Sequence, residues 1–383
     1  MIVIGFMHYR KKPTNRAYAF AAVAKAEGAE LLYFSPGAVD FENKKINGYI
    51  YQNGEWVNVI SNFPDIICNV AGFSKDKQNA IVERLHEEIP FTSYSIGSKE
   101  TVYRNIMKYK EFSHYLVPSE KVLSANHFFN LLDKHGEIVF KPSMGSQGKD
   151  VYYVSKEINT EINAENSFYK ILNGIQKTIY DHSEISDFIS NKIREEEYLI
   201  QPYINCRTKS GDSYDLRLHV QKNIKGDWVI TKIYPRIAIS GSILCNLSRG
   251  GYTIELTSFL KREFEDDFYN MQKYIEAFSL QLAAHMDKIQ KDIYKEDLDE
   301  LGIDIGIDKN QKICIYEVNW RPGAPPSLNI ELNVVKNAVN YAMFLAGKSI
   351  ADKLKLSGSN SNGSGRSSGR SSRDGSSSSK GVV

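Results

Sequence analysis

Residues 141–149, Lys-Pro-Ser-Met-Gly-Ser-Gln-Gly-Lys, place two lysines and two glycines at the tip of a predicted β-hairpin. The apolar runs before and after them, at 138–140 and 151–154, are typical of buried strands. Glycines let a backbone approach phosphate groups closely, and a lysine supplies the opposite charge. The segment is not a Walker A loop, because G-x-x-x-x-G-K-[ST] does not occur in the chain. Taken alone, it is also typical of an ordinary turn.

Two predicted strands near the end of the chain bring oxygen ligands to one face. Side chains at i and i+2 of a strand share a face, so Glu317 and Asn319 project together, and Asp304 on the preceding strand meets them across the hairpin. Two carboxylates and an amide oxygen suit Mg²⁺, which also binds phosphate groups. The residues of opposite parity are expected to be buried: Ile303, Ile305, Tyr316 and Val318. That pattern also allows a merely solvated polar face.

Arginines in the predicted β region at 214–251 form a third polar group. Asp215 and Arg217 share a strand face, Arg236 lies on the next strand, and Asn246 begins the sequence Asn-Leu-Ser-Arg-Gly-Gly. Guanidinium groups match phosphate or carboxylate oxygens, so these residues favour an anionic ligand. A purely structural Asp–Arg pair is the alternative. The two glycines that end the sequence favour a loop that approaches a ligand.

The predicted elements divide the chain into three parts. Residues 1–97 alternate strand and helix as a small Rossmann-like α/β lobe, with a hairpin turned at Asn53-Gly54 and no dinucleotide fingerprint. Residues 98–356 are α+β and include a long helix at 264–293 and a closing helix at 329–355. Residues 357–383 contain 12 Ser and 6 Gly. They are predicted to be a disordered tail, since so little apolar surface cannot offset the entropy of ordering.

Charge and composition exclude several classes of protein. Outside residues 357–383 the chain has 44 basic and 45 acidic residues, so no general attraction for nucleic acid is expected. The four cysteines are far apart in the sequence and are expected to be reduced thiols. No apolar run reaches the length of about 18 residues that a membrane span needs, and no signal sequence is evident. We therefore expect a cytoplasmic protein without a nucleic-acid or membrane partner.

The polar motifs occur in a characteristic order: the lysine and glycine loop, Gln-Pro-Tyr-Ile, Asp-x-Arg, Asn-x-x-x-Gly-Gly, and Asp followed by Glu-x-Asn-x-x-Pro-Gly. In this order the chain resembles the ATP-grasp superfamily from about residue 98 to 326. It is similar to the YheC/YheD endospore coat-associated group in Asp215-Leu-Arg, in Asn246-Leu-Ser-Arg-Gly-Gly and in residues 301–308. The resemblance implies two α+β lobes that hold ATP between antiparallel sheets, preceded by a pre-ATP-grasp lobe. A flap-bearing part is expected at about 115–200, and a metal-binding and catalytic part at about 201–356.

The resemblance also implies roles for individual residues. The ATP phosphates would contact Lys99 and Lys141. The flap over them would contain Gly145, Ser146, Gln147, Gly148 and Lys149. The adenine edge is expected at Gln201, Pro202, Tyr203 and Ile204. Magnesium, as two ions, would be held by Asp304, Glu317 and Asn319, with the transferred phosphoryl group beside Arg217, Arg236 and Asn246.

Two departures from the family pattern occur. Asn205 and Cys206 stand where many relatives place a ribose-binding acid, and Trp320-Arg321 replaces small or polar residues before Pro-Gly, on the expected acceptor side. The resemblance implies an ATP- and Mg²⁺-dependent carboxylate–amine ligase acting through an acyl phosphate, with small-molecule or peptide substrates and spore-coat proteins as partners. Two alternatives stay open: a catalytically silent ATP-binding coat-assembly protein, and a small-molecule kinase. His219 is expected to be structural.

Overall fold

The computed structural model describes residues 1–69, 76–143, 149–158, 167–323 and 329–361. These residues form three β-sheets with helices packed on them. Most of the predicted flap, namely Gly145, Ser146, Gln147 and Gly148, lies outside the described residues. Residues 362–383 of the predicted tail also lie outside them.

The strands of the first sheet are β1 (Val3–Met7), β2 (Glu30–Phe34), β3 (Val39–Asp40), β4 (Lys45–Gln52), β5 (Glu55–Asn62) and β6 (Ile66–Asn69). Those of the second are β7 (Glu120–Lys121), β8 (Glu137–Pro142), β9 (Tyr152–Ile158), β10 (Ser167–Asn173), β11 (Gln176–Tyr180) and β12 (Tyr198–Pro202). Those of the third are β13 (Tyr214–Lys222), β14 (Trp228–Ile237), β15 (Glu300–Ile307) and β16 (Ile313–Trp320).

The helices are α1 (Asn15–Ala26), α2 (Asp76–Glu88), α3 (Lys99–Tyr109), α4 (Ala125–His135), α5 (His182–Glu195), α6 (Leu256–Phe264), α7 (Phe268–Tyr294) and α8 (Glu331–Ser361). Short 3₁₀ helices occur at Pro36–Ala38, Ser113–Tyr115, Leu247–Arg249 and Glu265–Asp267. Within the described ranges, none of the helices has both the length and the apolar character that crossing a bilayer requires.

The first sheet has the strand order β3-β4-β2-β1-β6, with β5 beside β4. Strand β1 is parallel to both β2 and β6, so the chain leaves β1 and β6 at the same edge. Strands β4 and β5 form the predicted hairpin. Its turn residues Asn53 and Gly54 have φ of 50° and 89°, and two positive φ angles are what a type I′ turn requires. The hairpin prediction is confirmed.

Helix α8 corresponds to the closing helix expected at 329–355. The sequence assigns it to the catalytic part of the chain, but its buried face packs with α1 and β1 in the core of the first sheet. The helix also runs on to Ser361, past the expected start of the tail at 357. Once a helix is nucleated, each added residue gains a hydrogen bond at little further cost, so polar residues can extend it.

The second sheet is antiparallel, with the order β11-β10-β9-β8-β12-β7. Helices α4 and α5 pack on one face through Phe128, Leu132, Ile185 and Ile189. Strands β10 and β11 and helix α5 are not predicted from the sequence. Strand β11 is largely exposed, so it lacks the alternation of buried and polar residues by which half-buried strands are recognised.

The third sheet is also antiparallel, with the order β14-β13-β15-β16, and α6 and α7 cover one of its faces. The long helix predicted at roughly 264–293 is confirmed as α7, Phe268–Tyr294, whereas the shorter α6 before it is not predicted. Helix α6 ends at Phe264 and α7 begins at Phe268, because Glu265 has φ of 48°, which a right-handed helix cannot contain. The opposite face of the sheet turns toward the second sheet.

Candidate functional site

A cavity of about 530 Å³ lies between the second and third sheets. Its lining includes every described residue that the sequence analysis assigns to a site. These residues are Lys99, Lys141, Lys149, Gln201, Pro202, Tyr203, Ile204, Arg217, Arg236, Asn246, Asp304, Glu317 and Asn319. The fold thus brings residues from one helix, several strands and three loops to a single concave surface.

Three strands of the third sheet place an arginine and two carboxylates in one row. Arg217 on β13 lies opposite Asp304 on β15, which in turn lies opposite Glu317 on β16. Directly opposite residues of antiparallel strands share a face, so the three side chains enter the cavity together. Asn319 lines the same cavity, and its Nδ2 donates to Glu317 Oε1 at 2.8 Å. The shared face expected for Asp304, Glu317 and Asn319 is therefore present.

Four charged side chains of alternating sign join β13, β14 and β15. Arg217 donates to Asp304 through Nε and through Nη2, which lies 3.0 Å from Oδ2. Arg236 donates to Asp215 in the same bidentate way, from Nε to Oδ1 at 2.6 Å and from Nη2 to Oδ2 at 2.7 Å. Its Nη2 also lies 3.1 Å from Asp304 Oδ2. Burial opposes the charge of both arginines, but the facing carboxylates outweigh it and raise the pKa of each guanidinium. The arginines are therefore charged and fixed in orientation.

Glu317 is paired through its second oxygen with Lys99. Ser98 caps α3 and so fixes the start of the helix, from which Lys99 Nζ reaches to 2.8 Å from Glu317 Oε2. Burial tends to raise the pKa of Glu317, but the charge and hydrogen bond of Lys99, with smaller effects of Asn319 and Lys141, lower this pKa to about 2. The carboxylate is therefore ionised at neutral pH.

Lys141 enters the cavity from the opposite wall, on β8. In the part of the chain that the structure describes, no carboxylate lies within ion-pair distance of its ammonium group, 4.0 Å. Burial, and then the charge of Lys99, lower the pKa of Lys141 to about 8, against the opposing effect of Glu317. Lys141 is thus a half-buried cation without an ion pair. Lys149, at the other end of the same hairpin, lines the cavity as well.

Residues 201–204 end β12 and continue along the cavity wall. Tyr203 N donates to Glu137 O at 2.9 Å, which anchors this backbone to β8. The ring of Tyr203 meets that of Tyr153 edge-on, with 4.9 Å between the ring centroids. The segment therefore presents a half-buried aromatic surface whose orientation is held by a second ring.

Tyr316 also lines the cavity, so the prediction that it lies on the buried face is wrong. A β-bulge directly after Asp304 leaves Tyr316 without a cross-strand partner. The extra residue turns Tyr316 toward the cavity, where its Oη donates to Cys206 Sγ at 3.1 Å. A Cβ at Gly306 would overlap that hydroxyl. A glycine inside a strand often marks a bulge, so Gly306 is the sequence signal for this site residue.

Asn246 lines the cavity immediately before the short helix Leu247–Arg249. The conformation of the loop explains why glycines stand at the next two positions after this helix. Gly250 has φ of 90°, and a Cβ at Gly251 would lie 2.6 Å from Cys245 O. The backbone of the loop requires both glycines, so they do not by themselves indicate a ligand, contrary to the expectation from sequence.

A family model described as YheC/D like ATP-grasp matches residues 88–345, which include the whole cavity lining. The chain belongs to this ATP-grasp family. The endospore coat-associated proteins YheD and YheC of Bacillus subtilis (strain 168) are each 24% identical to it over 343 residues. These alignments cover 86% of this chain and 73% and 91% of the two relatives. The D-alanine-D-alanine ligase from Coxiella burnetii aligns with a TM-score of 0.48 at 9% identity, over 94% of this chain and 100% of that one.

In this ATP-grasp chain the residue before Pro-Gly, Arg321, contacts both the third sheet and a segment that follows the first sheet. Arg321 is buried, and its guanidinium lies 2.8 Å from Asp299 Oδ2 and 3.1 Å from Glu300 Oε2. It also donates to Thr92 Oγ1 at 3.0 Å. Arg321 contributes to the cavity lining as well, so this buried cluster borders the ATP-grasp cavity on the side of the first sheet.

Neither His219 nor Cys206 contributes a charge to the cavity lining. His219 Nε2 lies 2.9 Å from Glu300 Oε1, both side chains are 1% exposed, and His219 is absent from the cavity lining, as expected for a structural residue. Cys206 stands at the position of the expected ribose-binding acid. Burial raises the pKa of its thiol to about 12, so Cys206 is neutral at physiological pH.

Proposed function

We propose that the protein binds ATP with two Mg²⁺ ions in the cavity and joins a carboxylate to an amine, releasing ADP and phosphate. The observation that carries the proposal is the convergence of lysines, arginines, carboxylates and an amide on one cavity between two sheets. A nucleotide polyphosphate needs the cations, and the divalent ion that accompanies it needs the oxygen ligands. Both sets stand side by side in this ATP-grasp chain.

The triphosphate is assigned to Lys99, Lys141 and Lys149. Lys141 has the strongest case, because a half-buried ammonium without a carboxylate partner gains most from a phosphate oxygen. The adenine is assigned to the wall formed by residues 201–204, where the ring of Tyr203 gives a purine a flat, mostly apolar surface. The proposed flap at 145–148, outside the described residues, would cover the phosphates.

The Mg²⁺ ions are assigned to Asp304, Glu317 and Asn319. Hard divalent cations prefer carboxylate and amide oxygens, and these three side chains line the cavity from the neighbouring strands β15 and β16. Among the described residues, no three His, Cys, Asp or Glu side chains are grouped to hold a metal. The amide of Asn319 and phosphate oxygens would therefore be needed to complete the ligand set. When bound, the ions supply charge neutralisation at the phosphates.

In the proposed reaction, an oxygen of the substrate carboxylate attacks the γ-phosphorus of ATP, and ADP leaves as an acyl phosphate forms. The amine nitrogen of the second substrate then attacks the acyl carbon, inorganic phosphate leaves, and the nitrogen loses a proton as the amide forms. Arg217 and Arg236 present N–H groups to the oxygens of the transferred phosphoryl group. Their carboxylate partners hold them in place before substrate arrives, so little reorganisation is needed during the reaction.

Mass spectrometry tests this reaction directly. The protein is incubated with ATP, Mg²⁺ and pooled amino acids or short peptides, and the products are searched for ADP together with a condensed species. The control is Glu317→Ala, a variant that lacks one of the proposed metal ligands. ADP with a product heavier by one phosphoryl group would contradict the ligase and indicate a kinase. ATP binding without any ADP formation would contradict both and indicate the catalytically silent protein.

Both curated relatives are named endospore coat-associated proteins, and we propose the same association for this chain. A fluorescent fusion produced in sporulating Bacillus subtilis is expected to collect at the forespore surface. Uniform fluorescence of the mother cell would contradict the association.

A further inference from the structure

Residues 8–16, the cationic segment, follow β1 and carry a local excess of positive charge. Their sequence His-Tyr-Arg-Lys-Lys-Pro-Thr-Asn-Arg contains four basic and no acidic residues, on a chain that is otherwise close to neutral. The side chains at 9–12 are exposed. Arg10, Lys11, Lys12 and Arg16 form no ion pair with the described residues. The three exposed charges, at 10–12, are therefore available to a partner.

The backbone of the cationic segment is held in one shape. The hydroxyl of the buried Tyr33 lies 2.7 Å from Arg10 O and 2.9 Å from Lys12 O, and these two carbonyls share its single hydrogen. At the start of the segment His8 N donates to Phe34 O at 3.0 Å, and at its end Thr14 caps α1. A fixed loop with outward charges loses little entropy when it binds a ligand.

The cationic segment follows β1 on the side of the first sheet where Arg321, a residue of the cavity lining, contacts β6. It leaves the carboxyl end of β1, the edge of a parallel sheet at which ligands bind. Arg321, which lines the cavity, reaches Cys68 Sγ on the neighbouring β6 at 3.9 Å. Cys68 pairs with Phe6, two residues before the segment begins. The charge of Arg16 also acts on Glu300, the partner of Arg321.

We propose that the cationic segment binds an acidic peptide, one end of which enters the cavity as a substrate. The assignment of that peptide as a substrate rests on the proposed ligase function, whereas the binding itself does not. Each exposed ion pair contributes only about 0–1 kcal/mol, so a lone small anion would bind weakly. Several carboxylates on one peptide contact the cations together. Because they are linked, each further contact forms at a high effective concentration and increases the affinity.

The distribution of charge favours a peptide over a nucleic acid. Nucleic-acid binding proteins carry an extended basic face, whereas here the chain outside residues 357–383 has 44 basic and 45 acidic residues. The excess of positive charge at 8–16 spans only a short loop.

Fluorescence anisotropy without ATP tests the binding independently of catalysis. The probes are labelled hexaglutamate, hexaglutamine and a thymidine hexanucleotide. Hexaglutamate is expected to bind at low salt at least about ten-fold more tightly than hexaglutamine, and to weaken with added salt. No difference between the two peptides would overturn the proposal. Equal or tighter binding of the hexanucleotide would overturn it in favour of a general polyanion surface.

Two double variants with the same change in net charge test whether the cationic segment itself binds hexaglutamate. Lys11→Glu/Lys12→Glu is expected to weaken hexaglutamate binding by about ten-fold or more, because two attractive charges become repulsive. Lys225→Glu/Lys309→Glu changes the net charge by the same amount at exposed turns elsewhere and is expected to leave binding within about two-fold. If both pairs weaken binding equally, the overall charge and not the cationic segment attracts the peptide.

ATP binding separates this inference from the proposed function. Stabilisation by ATP with Mg²⁺ in a thermal shift assay is expected to be the same for Lys11→Glu/Lys12→Glu and the unchanged protein, because neither lysine lines the cavity. Hexaglutamate binding that follows the pattern above, in a protein that forms no condensed product, would refute the ligase and keep the peptide surface. Condensed products of an acidic peptide formed equally well by the variant and the unchanged protein would keep the ligase and refute the assignment of the bound peptide as its substrate.

Discussion

The two walls of the cavity carry their charges in different ways. On the third sheet Arg217 and Arg236 are tied to the carboxylates of Asp304 and Asp215. On the second sheet Lys141 has no carboxylate partner in the described part of the chain. The charges of the first wall are thus paired by folding itself, whereas in the proposed function the charge of the second wall would be paired by a bound phosphate.

This difference separates stability from binding. Removing one member of a buried ion pair leaves the other charge without compensation, which destabilises the folded state. Removing a half-buried cation that has no ion pair relieves the folded state of a partly desolvated charge. Substitutions on the two walls should therefore change stability in opposite directions, while substitutions on either wall impair the proposed reaction.

The largest effect is expected for Glu317→Ala. Turnover with ATP and Mg²⁺ should fall by roughly a hundred-fold or more, because the divalent ion loses one of its few charged oxygens. The fold should persist, since the partner Lys99 is 38% exposed and can be solvated. Steady-state ADP release and circular dichroism measure the two quantities. Glu100→Ala removes an exposed carboxylate nearby and serves as the control. Unchanged Mg²⁺-dependent turnover in Glu317→Ala would remove Glu317 from the site.

Asp215→Ala should cause the next largest effect, on stability. We expect the free energy of unfolding to fall by about 3 kcal/mol, because Arg236 is buried and loses its two-pronged partner. Urea denaturation provides the measurement, and Asp227→Ala, in an exposed turn, is the control. If the two variants unfold at the same urea concentration, the third-sheet wall is not assembled by this pair.

Lys141→Ala should weaken ATP binding by about ten-fold without loss of stability, since the lysine gives charge to phosphate and no ion pair to the fold. Calorimetric titration with ATP and Mg²⁺ gives the affinity, and thermal unfolding gives the stability. Lys177→Ala, an exposed lysine on β11 of the same sheet, controls for net charge. Equal stabilisation by saturating ATP in Lys141→Ala and the unchanged protein would show that Lys141 does not bind phosphate.

The smallest expected effect is a dependence on pH. Raising the pH should weaken ATP binding but increase the contribution of Lys141 to folding stability. The pKa of Lys141 is lowered to about 8 in the folded protein from an ordinary value of 10.5. As pH rises past about 8 the ammonium is lost, so ATP affinity should decline. Over the same range the unfolded chain binds the extra proton, so the contribution of Lys141 to folding stability should increase. Both trends are measured as differences between the unchanged protein and Lys141→Ala. Identical pH profiles would contradict the lowered pKa.

The site could be predicted from sequence where its geometry is local. Glu317 and Asn319 are two residues apart on one strand, so their common orientation follows from strand parity. Tyr316 could not be placed in this way. Its orientation depends on a bulge in the pairing with β15, and that pairing is a non-local property.

The fold shows the same limit. The apolar stripe of α8 predicts a helix that buries one face, but it does not specify which sheet receives that face. The break at Glu265 between α6 and α7 likewise has no glycine or proline to mark it. Local patterns predict that elements exist, whereas tertiary contacts decide their partners and some of their ends.

Helix α8 has a mechanical consequence. Gln221 Nε2, on β13, donates to Val334 O at 3.0 Å, while the apolar face of the helix fills the core of the first sheet. The helix therefore joins the first and third sheets, and the Arg321 cluster joins them at a second place. We expect any opening of the cleft to be a movement of the second sheet relative to these two. In the proposed function, the residence time of a nucleotide would then depend on that movement.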